Sequence, residues 1–462
     1  MNDSKNVKMS QSLWCDQVEL PKFESISGDL KTDVLIIGGG MTGVLCAYFL
    51  EQLGADYMLV EARTVGNGVT KNTTAKITSQ HGMIYSDLIK NAGEEKAMLY
   101  LAANQQALAK YKQLCQSIDC DFEEKSAFVY SLEDYHKVER EMHALDSLDF
   151  PAFFAQELPL PLKVAGAIEF EGQAQFHPLK FLGALAKDLR IYENSFVHLL
   201  DGHTALTETG EIRAQRIIVA THFPFMNRYG SYFLKLYQHR SYVIALANAT
   251  DVHGMYVDEA QNGMSFRNHQ NLLLLGGGDH RTGKEGGKWR ELRTFAKTYY
   301  PEAEEIYAWS TQDCMSLDSV PYIGPYAKSA PDIYVATGFN KWGMTTAMAA
   351  AMILTDMLNG KKNAFADVFS PQRSILKPQL FLNGIETTLN FLTPTRRRCT
   401  HLGCALKWNE TEQSWDCPCH GSRFDEGGQL IDNPALKDLR IDHKKSSPPE
   451  SSKDDDQNQE RK

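Results

Sequence analysis

Four cysteines and two histidines lie close together near the C-terminal end of this 462-residue sequence. The first box reads Cys399-Thr-His401-Leu-Gly-Cys404 and the second reads Cys417-Pro-Cys419-His420. Thiolates and imidazoles are the ligands of zinc and of iron–sulfur clusters. Because we find no apolar secretory leader, the clustering predicts a metal or redox centre rather than a framework of structural disulfides. The other five cysteines are scattered and are interpreted as reduced thiols: Cys15, Cys46, Cys115, Cys120 and Cys314.

A second group of residues could hold a dinucleotide. Gly38-Gly-Gly40-Met-Thr-Gly43 follows an apolar run and opens a stretch with helical spacing. Gly38 permits a tight turn, Gly40 lets the backbone approach a pyrophosphate, and Gly43 lets the helix pack on the strand. Glu61 ends the next apolar run, where a carboxylate can accept the ribose hydroxyls. An ordinary glycine-rich turn is the alternative, and the pattern alone does not separate FAD from NAD.

Strands and helices are needed to position these residues. Continuous apolar runs predict buried strands over Val34–Ile37, Tyr57–Val60 and Ile333–Ala336. Helical spacing predicts helices over Val44–Leu53, Asp87 to about Gln116, and about Thr345–Leu358. The triplet Gly276-Gly-Gly278 is expected to end a strand.

Composition limits the classes of partner. The net charge of -10 and the pI of about 5.8 argue against nucleic-acid binding. No apolar run of about 18 residues predicts a membrane span, so a cytoplasmic protein is expected, and a peripheral membrane association is left open. Residues 444–462 contain no aromatic residue and are expected to be a disordered tail.

Three segments resemble FAD-dependent oxidoreductases of the D-amino-acid oxidase/glycine oxidase family. They are Gly66–Thr78, Thr204–His222 and Ile333–Thr345, and the resemblance covers about residues 12–365. It implies FAD contacts at Gly38, Gly40, Gly43, Glu61, Gly68, Thr70, Thr73, Thr74, Gly338, Trp342, Gly343 and Met344. For Thr73, Thr74 and Trp342, a structural role is the alternative.

The same resemblance implies an α/β (α+β) fold, in which a Rossmann-like FAD-binding domain is interleaved with an antiparallel-sheet substrate domain. We expect a leader over 1–31 and a flavoprotein domain over 32–368. Its FAD-binding part spans about 32–80, 200–225 and 330–365, and its substrate part spans about 80–200 and 225–330. A linker over 369–395 precedes a small all-β segment over 396–443.

The two cysteine–histidine boxes resemble, residue for residue, those of Rieske iron–sulfur proteins, and the likeness continues through Arg423-Phe-Asp425. The resemblance implies a 2Fe-2S cluster with two ligands on each iron, namely Cys399 and Cys417 on one iron and His401 and His420 on the other. It also implies a disulfide between Cys404 and Cys419 and a hydrogen bond from Ser422 to a sulfide. A zinc site is the alternative.

The Rieske-like segment is short at its N-terminal side. Rieske domains normally run through several strands before the first box, whereas here Arg396–Arg398 stands directly before Cys399. We therefore expect a truncated scaffold that lacks its N-terminal part, which leaves open a vestigial cluster site. The arginine triplet is interpreted as a solvated stretch, with binding of an acidic partner as the alternative.

Together the two resemblances imply an oxidoreductase. A flavin takes two electrons as hydride, whereas a 2Fe-2S cluster passes one at a time. The expected reaction is dehydrogenation of a small amine or amino acid, with single electrons passed to a protein or quinone acceptor. The alternatives are an electron-transfer protein without its own small-molecule substrate and a flavin enzyme with a vestigial cluster site.

Four single residues complete the sequence-based predictions. His280 either faces the substrate as a catalytic residue or caps a turn. Cys314 lies near the place where some related enzymes attach flavin covalently, but a core thiol is the preferred interpretation. His81 and His222 are interpreted as packed histidines rather than catalytic ones.

Overall fold

The computed structural model of the chain describes residues 7–16 and 18–440. The tail expected over 444–462 lies outside the described residues. Within the described residues, three β-sheets carry the fold. No helix in this part of the chain is both long and apolar enough to cross a lipid bilayer.

The strands are numbered along the described chain. They are β1 (Lys8–Met9), β2 (Leu30–Ile37), β3 (Tyr57–Val60), β4 (Lys76–Ile77), β5 (Glu123–Ser131), β6 (Phe153–Ala155), β7 (Gly166–Gln175), β8 (Ile191–Tyr192), β9 (Leu199–Asp201), β10 (Thr204–Leu206), β11 (Glu211–Val219), β12 (Leu236–Ala247), β13 (Met255–Asp258), β14 (Ser265–His269), β15 (Leu272–Arg281), β16 (Glu304–Ser316), β17 (Tyr322–Ala327), β18 (Ala330–Thr337), β19 (Lys407–Asn409), β20 (Ser414–Asp416), β21 (Arg423–Asp425) and β22 (Leu430–Asp432).

The α-helices are numbered in the same way. They are α1 (Met41–Gln52), α2 (Tyr85–Ala92), α3 (Glu94–Cys115), α4 (Tyr135–Ser147), α5 (Pro178–Ala186), α6 (Tyr232–Lys235), α7 (Lys288–Tyr299), α8 (Gly343–Leu358) and α9 (Pro378–Leu392).

An eight-stranded sheet forms the Rossmann-like part of the fold. Its main order is β17-β18-β11-β2-β3-β8, and the β9–β10 pair joins it beside β11. Strand β2 lies parallel between β11 and β3, and α1 follows it directly. Ile36 packs into the core that contains the helices, whereas Leu35 and Ile37 pack into a second core on the other face. The apolar run at the end of β2 is continuous because both faces of this sheet are covered.

A ten-stranded, largely antiparallel sheet forms the second layer. Its main order is β1-β16-β12-β15-β14-β13-β5-β7-β4, and β6 pairs with β7. Strand β15 continues through Gly276–Gly278, so the expectation that these glycines end a strand was wrong. The pairing of β12 with β15 shifts register between Arg240 and Tyr242, and Gly278 adopts a φ of 65°. Glycines allow the strand to bend at this irregularity without ending it.

Two further stretches differ from the sequence-based expectation. The single helix expected from Asp87 to Gln116 is divided into α2 and α3 at Gly93, whose φ of 90° no continuous helix accepts. The expected linker contains α9, a helix of 15 residues. In the expected leader, β1 pairs with β16 and the side chain of Trp14 is fully buried.

The C-terminal part is a four-stranded antiparallel meander in the order β19-β20-β21-β22. Its buried core is small, and Leu406, Phe424 and Ala435 are its residues other than cysteine. The mixed α/β (α+β) architecture with a small all-β segment is thus confirmed.

Candidate functional site

A cavity of about 690 Å³ opens where β2, β3, β11 and β18 end. Ligands of parallel α/β sheets bind at this edge of the sheet. Eight of the predicted FAD-contacting residues line the cavity: Gly38, Gly40, Glu61, Gly68, Thr70, Gly338, Gly343 and Met344. The other four predicted residues, Gly43, Thr73, Thr74 and Trp342, do not line it.

The glycine turn is shaped by contacts that leave no room for side chains. Gly38 has a φ of 112°, and a Cβ atom there would lie 2.6 Å from the carbonyl oxygen of Ala220. A Cβ atom on Gly43 would overlap the carbonyl oxygen of Gly38. Gly43 therefore acts through helix–strand packing rather than through the cavity surface. The start of α1 reaches the cavity as a bare backbone cradle, which fits a diphosphate.

Glu61 lies at the end of β3, beside this cradle. Its Oε2 atom accepts the Gly39 N–H at 2.7 Å, and its Oε1 atom accepts the Arg63 N–H at 2.9 Å. Burial raises the pKa of Glu61, and the two backbone N–H groups oppose that rise. The carboxylate is fixed at the position where a ribose would meet it.

Thr73, Thr74 and Trp342 have partners within the protein. The Thr73 hydroxyl accepts the Ala75 N–H at 3.0 Å, and the Thr74 hydroxyl accepts Lys76 Nζ at 3.2 Å. Trp342 stacks on His81 with ring centroids 5.2 Å apart. These contacts agree with the structural alternative, and a flavin contact for these three residues stays a prediction.

The predicted cluster ligands meet at one end of the four-stranded meander. The rings of His401 and His420 have centroids 5.0 Å apart, and Cys399, Cys417 and His420 are at most 3 % exposed. The Nδ1 atom of His401 is buried without a hydrogen-bond partner. The pKa of the Cys399 thiol is lowered to about 7 because Cys417, the His401 N–H and Ser422 donate hydrogen bonds to it. A buried, partnerless imidazole nitrogen beside two thiols fits a Rieske cluster.

A disulfide joins Cys404 to Cys419 and so ties the two boxes together. The sulfur atoms of Cys404, Cys417 and Cys419 lie within 4.8 Å of one another. Two of these three are bonded to each other, so this trio does not offer three thiolates to a metal. The ligand set of Cys399, His401, Cys417 and His420 remains the prediction.

The second box is held by side chains of the flavoprotein part. Gln238 Nε2 donates to the His420 carbonyl at 2.9 Å, and Gln312 Nε2 donates to the Gly421 carbonyl at 2.9 Å. Arg281 Nε donates to the Pro418 carbonyl at 3.1 Å. Buried loop carbonyls need such partners, because these carbonyls are not paired in a β-ladder.

The segment after β21 closes the dinucleotide cavity. Residues 430–433 and 435–438 belong to the Rieske-like part, yet they line the same cavity as the glycine turn. Asn433 Nδ2 donates to the carbonyls of Thr221 and Phe223, both at 2.8 Å. Arg63 donates to the Leu430 carbonyl at 2.9 Å. The two predicted cofactor sites therefore share one wall.

A buried ionic network joins the same two parts. Glu412 accepts hydrogen bonds from Arg240, from Tyr242 at 2.7 Å and from Arg423 at 2.8 Å. Burial alone would raise the pKa of Glu412, but the positive charges of Arg240 and Arg423 hold it well below its usual range. His280 extends the network, since its Nε2 atom lies 2.9 Å from the Tyr242 hydroxyl.

The three histidines and the cysteine singled out in the sequence lie in different surroundings. His280 lies within β15, and its Nδ1 atom lies 2.9 Å from the Arg281 carbonyl, so both ring nitrogens have partners inside the protein. A catalytic role for His280 stays a prediction. His81 is packed, with Nδ1 2.7 Å from the Tyr100 hydroxyl. His222 lines the cavity, and burial lowers its pKa to about 4. Burial raises the pKa of Cys314 to about 12, so this thiol is inert.

Sequence reasoning missed a polar group beside the turn that precedes α8. His239 and Asp313 lie opposite each other on β12 and β16, and Lys341 Nζ lies 2.5 Å from Asp279 Oδ2. Burial raises the pKa of Asp313 to about 6. The Asn340 N–H donates to the Cys314 carbonyl at 3.0 Å, which fixes this group against the cavity-lining turn. Lys341 lies in the segment Ile333–Thr345 that carries the family resemblance, and Asp279 lies between Gly278 and His280. His239 and Asp313 were not predicted, because the strands that meet here are far apart in sequence.

Known proteins share both parts of the chain. Residues 33–357 match the family described as DAO, FAD dependent oxidoreductase, and residues 388–442 match the Rieske [2Fe-2S] domain. YhfW of Bacillus subtilis (strain 168), which carries the name of a Rieske 2Fe-2S iron-sulfur protein, is 35% identical over 497 aligned residues. The alignment covers 93% of this chain and 97% of that protein.

Solved structures share the fold of the flavoprotein part. Glycine oxidase from Geobacillus kaustophilus matches with a TM-score of 0.63 at 20% identity, over 75% of this chain and 99% of that one. L-proline dehydrogenase from P. horikoshii matches with a TM-score of 0.62 at 16% identity, over 75% and 98% of the two chains. Together with the family matches, these results confirm the two resemblances and both predicted cofactors, FAD and a 2Fe-2S cluster.

Proposed function

Because this chain belongs to the FAD-dependent oxidoreductase family and carries a Rieske 2Fe-2S domain, we propose that it dehydrogenates a small amine or amino acid and passes the electrons singly to an acceptor. When bound, FAD takes a hydride from a substrate C–H bond, and the cluster relays electrons one at a time. The acceptor is a protein or a quinone. The observation that carries the proposal is the wall shared by the two cofactor sites.

That wall supports electron transfer within one chain. Asn433 reaches from the Rieske domain to the carbonyl of Thr221, which lines the cavity with its neighbour His222. Gln238 donates both to the His420 carbonyl at 2.9 Å and to the Asn433 carbonyl at 3.2 Å. Few side chains therefore separate the cavity from the second cluster box. His420 is buried toward the flavoprotein domain, whereas His401 is partly exposed beside the exposed Leu402. The Nε2 atom of His401 lies 3.0 Å from Asn227 Oδ1 of the flavoprotein domain, and we propose that an acceptor approaches at this edge.

The polar group near the α8 turn supports an amine or amino-acid substrate. Asp313 is a half-buried residue, and burial raises the pKa of its carboxyl to about 6. The ionised carboxylate can bind an ammonium group, and the raised pKa makes it a better proton acceptor near neutral pH. Lys341, paired with Asp279, offers a cation to a substrate carboxylate. Loss of the ammonium proton to Asp313 leaves the neutral amine that hydride transfer requires. The names of two structural neighbours, for glycine and for L-proline, point to the same substrate class.

Anaerobic titration of the purified protein tests the proposal. A panel of small amines and amino acids that includes glycine and L-proline is added, and the absorbance of oxidised flavin is followed together with the low-field EPR signal of a reduced Rieske cluster. We expect one substrate to bleach the flavin and to produce the cluster signal. Bleaching only by a reduced protein partner would support the electron-transfer alternative, and bleaching without the signal would support a vestigial cluster site.

Asp313→Asn provides a sharper test of the substrate group. We expect KM for the amine to rise about tenfold or more, because a charge-assisted hydrogen bond contributes roughly 1.5–3 kcal/mol. Asp332→Asn, at an exposed position on β18, is the matched control. An unchanged KM in Asp313→Asn would show that this residue does not bind the substrate. It would not contradict the proposed electron transfer from flavin to cluster.

A further inference from the structure

Helix α9 carries its large apolar side chains on the outside. Five of them are between 58 and 71 % exposed: Phe381, Leu382, Ile385, Leu389 and Leu392. A surface helix normally turns its apolar stripe toward the core. A contiguous exposed apolar patch rimmed by polar residues marks an interaction site.

Polar contacts fix the helix in this orientation. Asn383 and Asn390 are each 5 % exposed and face the protein. Asn383 accepts a hydrogen bond from Arg281 at 2.9 Å, and Glu386 pairs with Lys284 at 2.8 Å. The Asn390 carbonyl accepts the Ala405 N–H at 3.0 Å. Rotation of α9 that buried its apolar face would break each of these contacts.

The undescribed residues of this sequence offer little to cover the patch. Residues 1–6, 17 and 441–462 contain only two large apolar side chains, Met1 and Ile441. The remainder is dominated by Ser, Asp, Glu, Lys and Pro. Five large exposed side chains need a larger apolar partner than this.

The charges around α9 indicate what that partner is. Lys377 precedes the helix, while Arg396 and Arg398 follow it, and both arginines are exposed. The one acid of the helix, Glu386, faces inward. We infer that α9 docks the protein on the surface of an anionic lipid bilayer, with its axis in the membrane plane. An apolar face flanked by cations, over a length of about 22 Å, fits interfacial insertion rather than spanning.

A second copy of the chain fits this surface less well. In a symmetric pair of helices, an antiparallel arrangement brings Lys377 of one copy toward Arg396 and Arg398 of the other. A parallel arrangement places like ends side by side. Both arrangements oppose cations across an uncharged apolar contact, which is unfavourable.

The docking surface adjoins the first cluster box. Arg398 donates to the Phe391 carbonyl at 3.1 Å and to the Gly403 carbonyl at 2.9 Å. Leu402, between His401 and Gly403, is 39 % exposed. Docking through α9 therefore brings the partly exposed side of the Rieske domain to the bilayer surface. This inference does not depend on the proposed substrate class.

Vesicle co-sedimentation of the full-length holoprotein tests the inference. The probes are vesicles of phosphatidylglycerol with phosphatidylethanolamine, and vesicles of phosphatidylcholine alone. We expect binding to the anionic vesicles and about a tenfold or greater loss in Phe381→Ser/Leu389→Ser, because burial of each such side chain contributes roughly 1.5–3 kcal/mol. Phe153→Ser/Leu199→Ser, at two similarly exposed positions elsewhere, is the matched control and should bind as the wild type does.

Charge and fold are tested separately. Lys377→Gln and Arg396→Gln should each weaken binding to anionic vesicles roughly fivefold, as expected of about 1 kcal/mol per cation. The conservative Phe381→Leu/Leu389→Met should retain binding, and an unchanged flavin spectrum verifies the fold of every variant. Wild-type protein that stays in solution with anionic vesicles would overturn the inference. A self-associated wild type that becomes monomeric in Phe381→Ser/Leu389→Ser, without vesicle binding, would overturn it in favour of a second copy.

Discussion

One predicted cofactor site of this chain is formed mainly by the main chain, and the other is formed by side chains. The dinucleotide cradle is main chain, shaped by Gly38 and Gly43, which act by having no side chain. The predicted cluster site is made of side chains, namely two thiols and two imidazoles on two loops. A backbone site needs only a strand, a turn and a helix, whereas a side-chain site needs loops held in register by their surroundings.

The hydrophobic cores of the two domains that carry these sites also differ in size. The flavoprotein domain has a large core of its own that spans both of its sheets. In the described part of the Rieske domain the core is small: Leu406, Phe424 and Ala435 join the cysteines, and Trp415, Leu430 and Leu439 pack against them. Its second box accepts hydrogen bonds from Gln238 and Gln312 of the flavoprotein domain. Contacts to the flavoprotein domain thus hold the second box in place. We therefore expect the small domain to depend on the large one more than the reverse.

The largest expected effect is at the backbone site. Gly43→Val is expected to abolish FAD binding, because its side chain would overlap the Gly38 carbonyl and force α1 away from β2. Flavin absorbance of the purified protein is the measurement. Gly384→Ala in α9, where a Cβ atom meets nothing within 4 Å, is the control. A yellow Gly43→Val protein would contradict the role given to the cradle.

The second largest expected effect is loss of the cluster without loss of the flavin. Cys417→Ser is expected to remove the Rieske EPR signal completely while flavin absorbance remains, because a hydroxyl is a poor ligand for cluster iron. Cys15→Ser, at a thiol far from both boxes in sequence, should leave both signals unchanged. A Cys417→Ser protein that keeps the full signal would show that the ligand prediction is wrong.

A substitution at Glu412 tests whether the Rieske domain depends on its contacts with the flavoprotein domain. Glu412→Gln leaves Arg240 buried without its carboxylate partner, while Arg423 keeps its pairs with Asp416 and Asp432. Breaking a buried ion pair typically costs about 3–5 kcal/mol. We expect the four-stranded domain to be lost at lower denaturant concentration while the flavoprotein domain is less affected. Limited proteolysis, with flavin absorbance followed in parallel, distinguishes the two domains. Equal destabilisation of both would contradict the asymmetry.

The same carboxyl predicts a pH dependence. The pKa of folded Glu412 lies below its unfolded value of about 4.3. The ion pairs therefore contribute their full stability above that value, and the contribution is lost as the pH falls toward the folded pKa. Wild-type stability should decline below about pH 4 more steeply than that of Glu412→Gln.

Both local motifs could be predicted from sequence because each is complete within a short stretch. The turn from Gly38 to Gly43 is indicated by the strand before it and the acid after it. The two boxes are indicated by their residue-for-residue resemblance to Rieske proteins. The three strands β2, β3 and β18 were located for the same reason, since strands buried on both faces are continuously apolar. Only β3 has the predicted bounds, because β2 begins four residues before its apolar run and β18 begins three residues before its own.

What could not be predicted depends on contacts between distant residues. Gln238 and Gln312 are ordinary polar residues within strands, and only the assembled sheet brings them to the carbonyls of the second box. The mixed Gly, Lys, Pro and Asn composition predicts a linker where α9 forms, and the polar positions of α9 face the protein, the reverse of the usual pattern. Neither fact has a local signature.

The smallest expected effect concerns the contact between the two sites. Gln238→Leu removes the donor shared by the carbonyls of His420 and Asn433, and each lost hydrogen bond contributes about 1 kcal/mol. Since no cluster ligand changes, the cluster should assemble and substrate should reduce the flavin at the normal rate. Reduction of the cluster, followed by rapid-freeze EPR, should slow because the second box is less firmly held against the cavity wall. Gln215→Leu, at an exposed position on β11, should change neither rate. If Gln238→Leu slowed flavin reduction as much as cluster reduction, this side chain would support the flavin site itself, and the separation between a self-supporting cradle and a dependent cluster would fail.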